Sequence, residues 1–257
     1  MVTSPKQRVN NAVMALSLPV ILLLGFAAVW ASGTNGLLFV FLNHWLHVLP
    51  DWFWANVTFM ADTAAMGAVA AILLLRRERL VLAMIVGGLI CAILIRMLKL
   101  GFDAPRPPAV MNGSLFELIG TGFKSNSFPS GHAATAFFFA GALVGYKPTK
   151  SLYLLALGGA ILGALSRIAV GVHWPVDILV GGAIGWPIGF LSARYFARRE
   201  YFNYAKRWLV FAVGYAACLV LLVYNSELPF VAPLQLSLAA LSLFCSMYYV
   251  SFRILKV

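Results

Sequence analysis

The chain consists largely of apolar runs of about 20 residues, separated by short polar connectors. A run of that length crosses the roughly 30 Å hydrocarbon core of a bilayer as an α-helix. Within lipid, every backbone amide and carbonyl must be paired inside the segment, which is why helices are the expected spanning structure. Since 62% of the residues are hydrophobic and only 11% are charged, the composition excludes an ordinary soluble domain. We predict an all-α, polytopic membrane helix bundle.

Eight membrane helices are predicted, at residues 12–31, 53–75, 80–99, 131–146, 151–172, 175–194, 207–225 and 233–252. Residues 37–50 are amphipathic and too short to cross, which predicts a helix lying in the outer interface. Its two histidines, His44 and His47, are expected to be interfacial rather than catalytic. Residues 100–128 have no spanning character and contain several prolines and glycines. A connection of that length is typically a functional loop.

The basic residues indicate the orientation of the chain. The formal net charge is +11, but the lysines and arginines form short clusters at the ends of apolar runs, so we expect no nucleic-acid partner. With the N-terminus in the cytoplasm, fourteen of the nineteen basic residues lie in cytoplasmic segments, as the positive-inside rule requires. The other five are predicted on or near the opposite side: Arg96, Lys99, Arg106, Lys124 and Arg167.

Polar clusters on that outer side predict an anion pocket. Lys99 ends the third span, and the prolines around Arg106 hold the chain extended so that its guanidinium can return toward the bundle. Ser130 is a natural N-cap, and the amides at Gly131 begin a helix whose N-terminus favours anions. Arg167 completes the pocket from the fifth span. These groups offer more donors than a carboxylate requires, and a phosphoryl group matches them better.

Two histidines add chemistry to this pocket. Pro175 predicts a break before the sixth span, so His173 would lie between two helices, with Asp177 in the first turn of the second. A carboxylate there can orient one ring nitrogen and leave the other free to attack phosphorus, forming a phosphohistidine. His132 is the candidate to protonate the leaving oxygen and then to activate water. This scheme requires no metal and no other cofactor.

The chain resembles the type 2 phosphatidic acid phosphatase (PAP2) superfamily, whose three signature motifs it matches in order: Lys99-x6-Arg106-Pro107, Pro129-Ser130-Gly131-His132 and Ser166-Arg167-x5-His173-x3-Asp177. The resemblance implies a six-helix catalytic core over roughly residues 13–194 and metal-independent dephosphorylation of lipid phosphates or pyrophosphates. It also implies that His173 is the nucleophile and His132 the acid. The two spans after residue 207 depart from the minimal pattern, and the resemblance assigns them no role.

Similar motifs occur in two other kinds of protein. Vanadate-dependent haloperoxidases are soluble, and the multiple spans predicted here argue strongly against that class. Glucose-6-phosphatases act on a soluble sugar, which suits a pocket near the bilayer surface less well than a lipid does.

We therefore predict a PAP2-like catalytic membrane domain over residues 1–200 and two additional transmembrane helices in residues 201–257. The expected partners are the membrane and a lipid phosphate: undecaprenyl pyrophosphate, phosphatidate, phosphatidylglycerophosphate or lipid A. Hydrolysis is expected at the periplasmic face of a bacterial inner membrane. Two alternatives stay open, a lipid phosphotransferase using the same phosphohistidine and an anionic-lipid transporter. A transporter predicts internal repeats, and the sequence displays none.

Several other polar and small residues have expected roles of their own. Asp62, inside the second span, could make a packing contact or could partner the basic cluster. Arg96 is expected to reach toward the interface, and Lys124 to be a solvated loop residue. Glycines at four-residue spacing in spans four to six predict close helix packing: Gly141 and Gly145; Gly159 and Gly163; and Gly181, Gly185 and Gly189.

Overall fold

The computed structural model describes residues 5–74, 77–197, 204–223 and 226–251. Within these ranges the secondary structure is helical, with no strand. The helices are α1 (Pro5–Ser32), α2 (Asn35–Leu46), α3 (Asp51–Met60), α4 (Thr63–Leu74), α5 (Glu78–Phe102), α6 (Pro107–Val110), α7 (Gly131–Tyr146), α8 (Lys150–Ala169), α9 (Pro175–Leu191), α10 (Tyr204–Val223) and α11 (Ala232–Tyr249). A 3-10 turn (Gly113–Leu115) follows α6, and a π-helical turn (Ser192–Phe196) ends α9.

The predicted all-α membrane bundle is confirmed. In the described ranges, four segments are long and apolar enough to cross a bilayer: Val13–Ser32, Glu78–Val110, Lys150–Ala169 and Pro175–Phe196. The bent pair α3 and α4 makes a fifth if the two helices are counted as one span. The remaining predicted spans correspond to α7, α10 and α11. Several of the predicted cytoplasmic basic residues lie outside the described ranges: Arg76, Arg198, Arg199, Arg253 and Lys256.

The second predicted span is not one continuous helix, so that prediction was wrong. α3 and α4 meet at an angle of 70°, with Ala61 and Asp62 between them. The Asp62 carboxylate accepts a hydrogen bond from the Ala64 backbone amide at 2.8 Å. A side chain that caps the first turn of α4 stabilises a new helix start in place of continuation. α3 packs on α8, the helix that carries Arg167.

The centre of the bundle is the pair α7 and α9, which share the most extensive contact in the described chain. Glycines on each helix face the backbone of the other. A Cβ at Gly185 would overlap the Ala134 carbonyl, and one at Gly189 would overlap the Phe138 carbonyl. Small residues therefore allow the two backbones to touch, as the spacing predicted. Gly159 was expected to do the same for α8, but a Cβ there would meet no atom within 4 Å.

The other helices surround this pair. α1 packs on α9, α8 packs on α7, and α3 packs on α8. α10 and α11 pack on each other and on α4. Large apolar side chains on the outer faces of α1 and α5 are exposed, including Leu24 at 64% and Met97 at 66%. Such surfaces would be costly in water and suit contact with lipid.

α2 occupies the position of the predicted interfacial helix and is fastened to the bundle by Asn43, which is fully buried. The Asn43 amide donates to the carbonyls of Ile168 at 2.9 Å and Ala169 at 3.1 Å, at the end of α8. It also donates to the Glu117 carbonyl at 3.0 Å and accepts from the Glu117 amide at 2.8 Å. One side chain thus ties α2, α8 and the loop before α7 together.

Candidate active site

His173 lies in the tight connection between α8 and α9. The backbone amides of Val172 and His173 both donate to the Arg167 carbonyl at 3.2 Å, which folds the chain back on the end of α8. Gly171 has a φ of +80°, and a Cβ there would meet the Glu117 carbonyl at 2.6 Å. Glycine is therefore required at this point of the turn. Only 1% of His173 is exposed to solvent.

Asp177 holds the His173 ring in one orientation. Its Oδ2 atom lies 3.0 Å from His173 Nδ1. The same oxygen accepts from the Trp174 backbone amide at 2.9 Å and from the Ser127 hydroxyl at 2.5 Å. An ionised carboxylate can only accept, so Nδ1 carries the proton and Nε2 keeps its lone pair. An imidazole held in this way can act as a nucleophile through Nε2.

Backbone carbonyls of the loop before α7 position two of the cations. Lys99 Nζ donates to the Asn126 carbonyl at 2.5 Å and to the Ser127 carbonyl at 3.3 Å. Arg106 donates from Nε to the Ser125 carbonyl at 2.9 Å and from one terminal nitrogen to the Val172 carbonyl at 3.2 Å. These acceptors are uncharged, so both side chains keep their positive charge available for an anion.

Arg167 is the third cation and is supported by α3. One of its terminal nitrogens lies 2.5 Å from the Thr58 hydroxyl, and only 5% of the residue is exposed. A charged group this deep in the molecule requires compensation by polar or anionic partners. The bend between α3 and α4 is what brings Thr58 to this position.

The N-terminus of α7 contributes Ser130, Gly131 and His132. The Ser130 hydroxyl caps the helix by accepting from the Ala133 amide at 3.4 Å, and its own amide donates to the Asp177 carbonyl at 3.0 Å. The start of α7 is thereby joined to the first turn of α9. His132 Nε2 lies 3.7 Å from the Asp62 carboxylate at the α3–α4 break.

These groups surround one cavity of about 210 Å³, lined by Lys99, Arg106, Gly131, His132, Arg167 and His173 among others. Ser130 and Asp177 are outside the lining and support it from behind, through the contacts given above. Burial lowers the pKa of His173 well below its ordinary range, and the charges of Arg106, Arg167 and Lys99 lower it further. The ring is therefore neutral at neutral pH, as attack through Nε2 requires.

Sequence reasoning did not find several residues of this site. Thr58 contacts Arg167, and Ser127 contacts Asp177. Neither belongs to a recognisable sequence motif, because single hydroxyl residues are common in apolar runs and loops. Asp62 had been weighed as a partner of the basic cluster, and the structure places it beside His132. Residues 226–228, between α10 and α11, also line the cavity. Arg96 and Lys124 do not line the cavity.

Among the described residues, no three side chains of the His, Cys, Asp and Glu types come together in an arrangement that could hold a metal ion.

The central region of the chain is similar in sequence to a known protein family. Residues 78–201 match the PAP2 superfamily. The chain carries a PAP2 superfamily domain. This match includes every residue predicted from the motifs, from Lys99 to Asp177. It stops before the described parts of α10 and α11.

Curated relatives of the PAP2 domain include two kinds of phosphatase. The undecaprenyl-diphosphatase of Sulfolobus acidocaldarius is 41% identical over 68 residues, which are 26% of this chain and 32% of that protein. The lipid A 1-phosphatase of Rhizobium johnstonii is 34% identical over 110 residues, which are 41% of this chain and 43% of that protein. The chain thus matches less than half the length of either relative.

A solved structure resembles the PAP2 domain more extensively. The crystal structure of Aquifex aeolicus LpxE superposes with a TM-score of 0.55 and 29% sequence identity. The similarity covers 63% of this chain and 95% of that one. The shared part is therefore nearly the whole of the smaller protein, and the present chain extends beyond it.

Proposed function

We propose that this protein is an integral membrane phosphatase of the PAP2 type that releases phosphate from a lipid phosphomonoester or pyrophosphate. The observation that carries the proposal is the single cavity lined by His173, His132 and three cations. Three cations beside the neutral imidazole of His173 favour a multiply charged anion. The names of the curated relatives, an undecaprenyl-diphosphatase and a lipid A 1-phosphatase, support a lipid phosphate as the substrate.

The proposed reaction has two steps. In the first, His132 is in its protonated form once the anionic substrate is bound; His173 Nε2 attacks phosphorus, the bond from phosphorus to the leaving oxygen breaks, and the His132 imidazolium donates a proton to that oxygen. Lys99, Arg106, Arg167 and the Gly131 amide stabilise the charge on the equatorial oxygens. In the second, His132 removes a proton from water, which attacks the phosphohistidine and releases inorganic phosphate. Asp177 keeps Nδ1 protonated in both steps and offsets the charge of the phosphorylated ring.

The proposed location is a bacterial inner membrane, with the cavity open to the periplasm. The distribution of basic residues along the sequence supports this orientation, because most lie on the side away from the predicted pocket. The candidate substrates are undecaprenyl pyrophosphate, phosphatidate, phosphatidylglycerophosphate and lipid A, each of which presents a phosphate at the membrane surface. The proposed catalytic domain occupies residues 1–200, followed by two additional membrane helices.

The test is phosphate release by the full chain, purified in detergent, from each of the four lipids. We expect His173→Ala to lower the rate by roughly 10³-fold or more, because no other group replaces the nucleophile. His132→Ala should slow phosphate release. With a lipid pyrophosphate as substrate, whose leaving group needs less protonation, phosphohistidine should accumulate on this variant. His44→Ala is the matched control, since that exposed histidine on α2 is outside the cavity lining, and it should keep the parent rate.

Release at the parent rate by His173→Ala would refute the mechanism. Transfer of labelled phosphate to an added lipid alcohol, with little free phosphate, would identify a phosphotransferase in place of a hydrolase. If the parent protein releases phosphate from none of the four lipids, the proposed activity is refuted.

A further inference from the structure

The connection between α10 and α11 forms part of the wall of the cavity. Ser226, Glu227 and Leu228 line it together with the cations and both histidines. These three residues lie outside the segment that matches the PAP2 superfamily. The two additional helices therefore bring a carboxylate to the mouth of a pocket that is otherwise basic.

Several contacts fix this connection against the loop before α7. The Thr121 hydroxyl donates to the Glu227 carboxylate. Gly120 has a φ of +82°, and a Cβ there would meet the Glu227 carbonyl at 2.8 Å. Farther along, the Asn56 amide donates to the Phe230 carbonyl at 3.3 Å. Leu228 packs against the main hydrophobic core. The Glu227 side chain is exposed at the rim, and its position is fixed by the hydrogen bond from Thr121 and by the packing of the neighbouring Leu228.

The charges of the lining favour one kind of phosphate group. Among the described residues that line the cavity, three are cations and one, Glu227, is a carboxylate. In a phosphomonoester, the only phosphate binds among the cations, and the lipid attached to it brings no second charge to the rim. In a pyrophosphate, the second phosphate is the leaving group and would pass the rim, where Glu227 repels it.

We propose that Glu227 is a specificity-determining residue that favours lipid phosphomonoesters over lipid pyrophosphates. This inference rests on the proposed phosphatase activity and narrows its substrate class. Glu227 takes no part in the bond-making steps, and its effect is exerted on the group attached to the transferred phosphate. The same reasoning assigns α10 and α11 a role in substrate choice, since their connection holds the carboxylate.

The experiment compares farnesyl phosphate with farnesyl pyrophosphate, which share one lipid and differ by one phosphate. The ratio of their kcat/KM values is measured for the full-length parent, Glu227→Gln and Glu117→Gln. Glutamine removes the charge at nearly unchanged size. Glu117 is an exposed carboxylate in the loop before α7 and is not in the cavity lining. Its variant therefore makes the same change in net charge at a different position.

We expect Glu227→Gln to shift the ratio roughly three- to fivefold toward the pyrophosphate, the size that an exposed charge pair supports. Added salt should shrink the difference between the parent and this variant, because exposed charges are screened. Glu117→Gln should leave the ratio unchanged. Ser226→Lys keeps Glu227 and its hydrogen bond and adds a cation at the rim, so it should shift the ratio in the same direction.

The outcomes separate this inference from the proposed function. If the parent hydrolyses neither compound nor any of the four natural lipids, the proposed function fails. If the parent hydrolyses both compounds and neither Glu227→Gln nor Ser226→Lys alters the ratio, the role of Glu227 is refuted. An equal shift in Glu117→Gln also refutes it, because the effect would then come from net charge alone.

Discussion

Asp62 is a polar residue in an apolar span, and its position beside His132 gives it a specific role. The carboxylate lies 3.7 Å from His132 Nε2 and is fixed by its cap on α4 at 2.8 Å from the Ala64 amide. A carboxylate at that distance can orient the imidazole and offset the positive charge that the ring carries as an acid. We infer that Asp62 is a positioning residue for His132.

Replacement of Asp62 by asparagine should lower kcat roughly tenfold or more, since a general acid contributes at least that much when correctly placed. The KM for lipid phosphate should change little, because Asp62 is outside the cavity lining. Asp62→Glu should restore part of kcat. The matched control is Asp51→Asn, which breaks a similar pair, His47 with Asp51 at 3.8 Å, away from the cavity. A parent-like kcat in Asp62→Asn would rule out the positioning role.

At the residue level, the sequence predicted groups that occur in local motifs and missed those brought in by tertiary structure. Lys99, Arg167 and His173 were found because cations and imidazoles are rare within or next to apolar segments, where each requires a reason. Ser127 and Thr58 were missed because hydroxyl residues are common there and cost little. Their contacts depend on the fold: Thr58 meets a residue 109 positions away.

At the level of the helices, the α7–α9 contact fixes the relative positions of two residues of the site. α7 carries His132 at its start, and α9 carries Asp177 in its first turn. Any separation of the two backbones would disturb both residues at once. Close contact between them depends on the glycines of α9, where even one methyl group would overlap the opposite backbone.

Gly185→Ala should therefore destabilise the protein by about 1–3 kcal/mol, the usual cost of overpacking, and lower its unfolding temperature in detergent. The control is Gly159→Ala in α8, where a Cβ meets nothing within 4 Å. There, alanine replaces glycine inside a helix without a clash, and the unfolding temperature should be equal or higher. Equal unfolding temperatures for the two variants would show that the α7–α9 contact tolerates expansion.

The helices themselves were largely predictable, and their interruptions were not. Apolar runs located α7 at residues 131–146 as predicted, because Ser130 and Gly131 give a clear helix start. The α3–α4 break gave no clear signal, since a single carboxylate, Asp62, interrupts an otherwise apolar stretch there. The approach of the α10–α11 connection to the cavity was equally invisible, because nothing near Glu227 predicts contact with Thr121.

At the scale of the whole molecule, the ends of four helices define which side of the membrane holds the site. α5 and α8 end near the cavity, with Lys99 and Arg167 in their last turns, while α7 and α9 begin there. The opposite end of α8 is Lys150, and the helix from Lys150 to Ala169 contains 20 residues. A helix of that length spans about 30 Å, so Lys150 lies across the hydrocarbon core from the cavity.

This geometry gives a direct test of the proposed periplasmic orientation. Ser114 is exposed in the loop on the cavity side, and Lys150 is exposed at the far end of α8. In intact bacterial cells, Ser114→Cys should react with a membrane-impermeant maleimide, and Lys150→Cys should react only after permeabilisation. The parent chain measures the background of its native cysteines, of which Cys91 and Cys218 are buried. The reverse pattern would place the cavity in the cytoplasm and contradict the orientation predicted from the basic residues.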